Sequence, residues 1–265
     1  IKGTKIKRKK CFMYKGPITD EVMDLCTIDP KVKTLPTIFI AGSSYSHHFS
    51  PVFEDLRNEF GIGISMITTT GCDLDPLLIN ENAEKTCRKS NKNKIAFIEK
   101  NAKEGDILLT TISNSEKFDQ DSVQKITEIA RDKNVNIVYF TPIPRWRHLD
   151  PAVDDICQNG EFQWYRPKWV MNCSTYSEID RNVYNKKENH ILDILKQIER
   201  TYPNFHVYPI HELLCDSSKC PSHINGIRLY RDNSGHISIY AAKQYFSSEI
   251  RSFLLHRKLI EKSNP

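Results

Sequence analysis

Strand-type apolar runs alternate with amphipathic helical stretches along most of this 265-residue chain, and that alternation constrains the fold most strongly. Residues 37–41 (Thr-Ile-Phe-Ile-Ala) form a short apolar run stopped by Gly42. Ser50-Pro51, the apolar positions Val52, Phe53, Leu56 and Phe60, and the closing Gly61 follow in the order of a capped helix. Residues 62–70, 107–112, 135–140 and 205–210 read as further strands, and 95–103, 121–133, 189–199 and 238–259 as helices. Strands joined through helices are parallel, with right-handed crossovers that cover both faces of the sheet. The expected fold class is therefore α/β, a three-layer α/β/α sandwich with a parallel central sheet.

Residues 1–36 break the pattern. They hold two cysteines, Gly16-Pro17, Asp29-Pro30 and many lysines, and read as an irregular N-terminal extension with at most a short helix near residues 20–26. The domain proper is read as residues 37–265. A hydrophobic content of 39% with 27% charged residues excludes a disordered or fibrous chain. Mean hydropathy is −0.51, and no apolar run approaches the ~20 residues of a membrane span. The chain starts at Ile1 without an apolar leader, so it reads as part of a longer or processed protein whose targeting segment lies outside it. Lysine and arginine number 38 against 33 acidic residues, a net charge of +5. Lys2, Lys5, Lys7, Arg8, Lys9 and Lys10 supply part of it, and a solvated linker explains them better than a nucleic-acid arm. No nucleic-acid partner is expected.

Eight cysteines stand at 11, 26, 72, 87, 157, 173, 215 and 220, with no CxxC pair. An even, spread-out set of this kind points to disulfides made outside a reducing cytosol. Pairing of neighbours is favoured, since each bond then closes one short loop, and a loop of ~15 residues gains roughly 3 kcal/mol. Sequence does not prove connectivity. A zinc site from Cys215, Cys220, His223 and His211 is the alternative, although no second cysteine pair follows it.

Ligand crevices in open α/β sheets lie beyond the carboxyl ends of the strands. The residues there are Gly42 to His48 after the first strand, Gly71 and Cys72 after the second, and Ser113, Asn114 and Ser115 after the third. Asp232 to His236 precede the last helix. A serine, a histidine and an acid on one rim suit nucleophilic acyl chemistry. The histidine takes the hydroxyl proton, and the acid fixes its tautomer. Backbone N–H groups and an asparagine amide can stabilise the oxyanion. Each of these residues alone reads more simply as a cap or turn residue. No metal cluster, Walker motif or GxGxxG joins them. His47 and His48 lie close to Ser44 in sequence, but adjacent positions on a helix start point in different directions, and they read as surface histidines rather than as the base.

The blocks Ile38-Phe-Ile-Ala-Gly-Ser-Ser-Tyr-Ser46 and Leu229-Tyr-Arg-Asp-Asn-Ser-Gly-His-Ile-Ser238 resemble the SGNH (GDSL) hydrolase family. They are most similar to the extracytoplasmic SGNH domains fused to membrane-bound O-antigen and surface-polysaccharide acetyltransferases. Thr141-Pro-Ile-Pro144 and the paired cysteines suit the same resemblance. It implies a flavodoxin-like SGNH fold in which Ser44 is the nucleophile, His236 the base and Asp232 the acid. Ser44, Gly71 and Asn114 would form the oxyanion hole, with no metal. Three positions depart from the pattern. Ser43 stands where the family has an aspartate, Tyr45 where it has a histidine, and Asn233 at the usual three-residue spacing of the acid.

The resulting expectation is a serine-dependent O-acyltransferase domain that passes an acetyl group to sugar hydroxyls of a surface polysaccharide such as O-antigen. The resemblance implies no cofactor in the domain itself. It implies a membrane-embedded acyltransferase partner domain upstream of residue 1, which handles the acetyl donor, acetyl-CoA. It also places the domain on the periplasmic face of a membrane. Two alternatives stand beside it: a secreted carbohydrate acetylesterase, and a non-catalytic glycan-binding module in which Trp146, Phe162, Trp164, Tyr165 and Trp169 stack on sugars.

Overall fold

The computed structural model describes residues 11–13, 16–75, 85–113, 115–144, 178–232 and 234–261. Five parallel strands form the body of the sheet: β3 (Thr37–Gly42), β4 (Gly63–Thr69), β5 (Ile107–Thr111), β6 (Asn136–Phe140) and β8 (Phe205–Tyr208). They lie in the order β4-β3-β5-β6-β8. In register, Ile38 faces Ile64 on one side and Ile107 on the other. Two short strands complete the outer edge. Phe12–Met13 (β1) runs parallel to the end of β4, and Thr27–Ile28 (β2) runs antiparallel to its start. The described part of the N-terminal segment, 11–13 and 16–36, therefore holds regular elements, because the Cys11–Cys26 disulfide and the free edge of β4 give its short apolar pieces partners.

Period-two alternation sorts the strand side chains between two layers. Ile38, Ile40, Ile64, Met66 and Leu109 pack on α3 (Ser50–Phe60) and on the C-terminal helices. Phe39, Ala41, Ile67, Leu108 and Ile137 pack on α4 (Lys85–Asn101), α5 (Gln120–Arg131) and α6 (Arg181–Thr201). This is the α/β/α sandwich the alternation implies. Helix α1 is the short Asp20–Leu25, and α2 is the single turn Ser44–His47. Helix α7 (Ile210–Leu214) follows β8. Two antiparallel ribbons join β7 (Glu178–Asp180) to β9 (Lys219–Pro221), and β10 (His223–Ile224) to β11 (Ile227–Arg228).

Helices α4 and α6 begin well before the apolar periodicity does. The turns ahead of it bury polar side chains, Ser90, Asn91 and Lys94 in α4 and Glu188 in α6, which hydrophobic patterning does not register. The last helix is interrupted. It runs as α8 (Ile239–Ala241), a π-helical turn (Ala242–Phe246) and α9 (Ser247–His256).

Cys11–Cys26, Cys72–Cys87 and Cys215–Cys220 are bonded as neighbours. The sulfurs of Cys215 and Cys220 bind each other, which removes the thiolates of the zinc alternative. The expected 157–173 pair, the aromatic residues Trp146 to Trp169 and the basic run before Cys11 lie outside the described residues.

Candidate active site

From β3 the chain leaves toward β4 on one side and returns to β5 on the other, so the carboxyl end of β3 is the topological switch point of the sheet. Ser44 stands two residues past that end. Gly42 makes the turn possible: its φ is +125°, and a Cβ there would come within 2.7 Å of Ser46 Oγ. Ser43 then caps α2, its Oγ accepting the N–H of Tyr45 at 3.4 Å. Serine is a favoured N-cap, so Ser43 suits this position. Ser44 becomes the first helical residue, with a main-chain N–H that has no intrahelical partner.

The histidine arrives on a short loop before α8. Tyr230 and Ile237 form an antiparallel bridge, and Arg231 donates its N–H to the carbonyl of His236 at 2.9 Å. Within this loop Asp232 Oδ1 accepts the N–H of Ser234 at 3.1 Å and that of His236 at 3.4 Å. The carboxylate lies against the ring it must orient, with His236 Nδ1 2.9 and 2.8 Å from its two oxygens. A carboxylate only accepts, so Nδ1 carries a proton and Nε2 is left as the acceptor of the neutral ring. Ser44 Oγ lies 2.8 Å from that Nε2, across 192 positions of sequence.

Burial alone would raise the Asp232 carboxyl. The hydrogen bond and charge of His236, with the Arg231 guanidinium 3.1 Å away, outweigh it and hold the group well below the ordinary carboxylate range. His48 sits behind the loop. Its Nδ1 accepts the N–H of Ile237 at 3.1 Å, which requires the neutral ring. Burial, with repulsion from His236, Arg231 and His47, holds His48 well below its ordinary value. His47 instead pairs with Thr68 Oγ1 at 3.0 Å.

Gly71 lies in the turn after β4, with φ +67° and open space where a Cβ would stand. Because β4 and β3 are neighbours, Gly71 and Ser44 follow the ends of adjacent strands. Asn114 lies outside the described residues. Its neighbour Ser113 donates both its N–H and its hydroxyl to Asp73 Oδ2, at 2.9 and 2.6 Å.

A family model described as the SGNH domain fused to AT3 domains matches residues 10–247. The chain belongs to this SGNH family. Among solved structures, the periplasmic domain of a lipopolysaccharide acetyltransferase from Salmonella ser. Paratyphi A is similar at a TM-score of 0.59. The two share 15% identity over 92% of this chain and 91% of that one, so the likeness is one of fold. No curated protein matches the sequence. No described helix of this SGNH domain is long and apolar enough to cross a membrane.

Sequence patterning singles out Ser44, Asp232 and His236, and the fold brings those three together. It misses three supporting side chains: Tyr45, His48 and Lys94. Each works through a contact far away in sequence, and only Lys94 leaves a local trace, a charged residue on the apolar stripe that continues through Phe97 and Ile98.

Proposed function

We propose that this SGNH domain is a serine-dependent O-acetyltransferase domain acting on sugar hydroxyls of a cell-surface polysaccharide such as O-antigen. The observation that carries the reading is the hydrogen-bonded line from Ser44 Oγ through both ring nitrogens of His236 to Asp232. The reading also draws on the family's fusion to AT3 domains and on the fold shared with a lipopolysaccharide acetyltransferase's periplasmic domain. The partner is then a membrane-embedded acyltransferase domain that delivers the acetyl group from a donor such as acetyl-CoA. The domain works on the extracytoplasmic side, where its disulfides persist.

In this mechanism Ser44 Oγ attacks the acetyl carbonyl carbon while His236 Nε2 takes the hydroxyl proton. The carbonyl oxygen becomes an oxyanion, held by the main-chain N–H groups of Ser44 and Gly71 and by the Asn114 amide. Collapse expels the donor's leaving group, which receives the proton from His236. The acetyl group now rests on Ser44 as an ester. A sugar hydroxyl then gives its proton to His236 and attacks the same carbon; the bond to Ser44 Oγ breaks, His236 returns the proton to Oγ, and the sugar leaves acetylated. Asp232 keeps Nδ1 protonated throughout and stabilises the imidazolium formed in each half.

A nitrophenyl acetate tests the first half alone, since acylation of Ser44 needs neither glycan nor membrane partner. The domain should release nitrophenol, slowly at steady state because water replaces the sugar. Ser44→Ala should abolish the release, whereas Ser43→Ala should keep most of it. A folded Ser44→Ala variant with an unchanged rate would refute the catalytic reading.

A further inference from the structure

Helix α4 hides a lysine. Lys94 has no exposed surface, and its helix face is shared with Ser90, Asn91, Phe97 and Ile98. An amine in such a place is costly unless its hydrogens find acceptors, so its partners explain its presence. Nζ donates to the main-chain carbonyl of Gly42 at 2.9 Å and to that of Cys72 at 3.0 Å.

Those two carbonyls belong to different loops of the site. Gly42 stands two residues before Ser44, and Cys72 is the residue after Gly71. A peptide unit is planar, so fixing its carbonyl also fixes the N–H on its far side. Lys94 thus fixes the peptides that lead into Ser43 and Asp73, which flank the turns carrying Ser44 and Gly71. The second loop is tied to α4 once more through Cys72–Cys87, two helical turns before Lys94. It is tied onward to the loop after β5 by Asp73, which accepts both hydrogen bonds of Ser113. Burial lowers the Lys94 amine to about 7, against the opposing charge of Asp73. Either protonation state keeps two hydrogens for the two carbonyls, so the contact does not depend on the charge.

We propose that Lys94 is a positioning residue for the oxyanion hole, a buried brace that holds the Ser44 turn and the Gly71 loop at a fixed separation. The proposal rests on the acyl-enzyme reading above. Two N–H donors on separate loops converge on one oxygen only if the loops keep their spacing, and a displacement of ~1 Å can cost ~100-fold in rate. No contact between Lys94 and substrate is implied.

The test uses Lys94→Met, which keeps the stem and removes both donors, with Lys94→Arg as the rescue. Folded sites are counted by stoichiometric labelling of Ser44 with a phosphonate ester, and acylation by nitrophenyl acetate is followed before steady state. Per labelled site, Lys94→Met should acylate roughly tenfold to hundredfold more slowly, with the half-saturating ester concentration unchanged. Lys94→Arg should recover part of the rate. A folded Lys94→Met variant that acylates at the wild-type rate overturns the brace, and leaves the acyl-enzyme reading standing if Ser44→Ala is inactive. Should Lys94→Met not fold, the wild-type domain still decides. Phosphonylation of Ser44 places a tetrahedral oxygen in the oxyanion hole and should shift the Nζ nitrogen resonance of Lys94. A resonance unmoved by labelling overturns the proposal.

Discussion

Tyr45 donates its hydroxyl to the main-chain carbonyl of Ser234, joining the residue after the serine to the loop that carries the histidine, 189 positions away. Its ring also lies 4.8 Å from that of His236, tilted by 34°. One side chain therefore grips the His236 loop by its backbone and by its ring. Tyr45→Phe keeps the ring contact and removes the hydrogen bond. With about 1 kcal/mol for a lost hydrogen bond, acylation by nitrophenyl acetate should fall about fivefold. Tyr45→Ala also loses the ring contact and should fall further. A Tyr45→Phe variant as fast as wild type would show that the loop holds its place without the clamp.

The legible and illegible parts of this fold divide along a physical line. β3 to β6 and β8 are legible because their apolar runs end at glycine, proline or polar turns, and α3 because cap, proline, stripe and terminal glycine follow in order. Ser44 and the Asp232–His236 pair are legible because strand-end chemistry and spacing are local. The brace and clamp are not. Lys94 leaves only the trace of one charge in line with Phe97 and Ile98, and its two acceptors are backbone atoms without a sequence signature. β1 and β2 escape notice because two-residue strands have no period. Their pairing is set by the edge of β4 and the Cys11–Cys26 bond.

The disulfides give a chemical prediction. Alkylation of the denatured domain without reductant should label essentially no cysteine, and peptide mapping should return 11–26, 72–87 and 215–220, with 157–173 as the remaining pair. Recovery of labelled Cys215 and Cys220 together with bound zinc would restore the metal alternative. Selective loss of 72–87 should slow acylation more than loss of 215–220, because only the former bond tethers the loop carrying Gly71.

Acid should destabilise the fold before it titrates ordinary carboxylates. Burial lowers His48 well below its usual value, His211 to about 4, and His206 also, with Arg181 adding to the effect on His211 and Arg257 to that on His206. Below about pH 6.5 the unfolded chain binds these protons while the folded one refuses them, so stability falls with pH. Each refused proton steepens the decline by about 1.4 kcal/mol per pH unit until its folded value is reached. Asp232, held low in the fold, adds a further loss once pH drops below the ordinary carboxylate range. Asp106 works in the opposite sense, because burial raises it against the N–H bonds of Thr37 and Lys103. Thermal melts between pH 7 and 4.5 measure the slope. His48→Asn leaves an acceptor near the N–H of Ile237 but no titrating ring, and should flatten it. An unchanged slope would mean that His48 is protonated as readily in the fold as out of it.

The sharpest prediction concerns the acid and turns on which hydrogens Asp232 receives. Its Oδ1 already accepts the N–H groups of Ser234 and His236, and its Oδ2 accepts from Arg231 Nε and lies 2.8 Å from His236 Nδ1. In Asp232→Asn the backbone donors keep the amide oxygen at the Oδ1 position and force the NH2 group toward Nδ1. An NH2 group facing Nδ1 favours the ring that accepts there and carries its proton on Nε2, where it donates to Ser44 instead of accepting from it. The isosteric variant should therefore lose ~10⁴-fold in acylation despite its unchanged shape, as expected when the base is held in the wrong tautomer. Asp232→Ala imposes no tautomer and should be no slower than the Asn variant. Asn233→Ala, at the three-residue spacing, should stay near the wild-type rate. If Asn233→Ala is the damaging change and both Asp232 variants acylate normally, the acid has been assigned to the wrong residue.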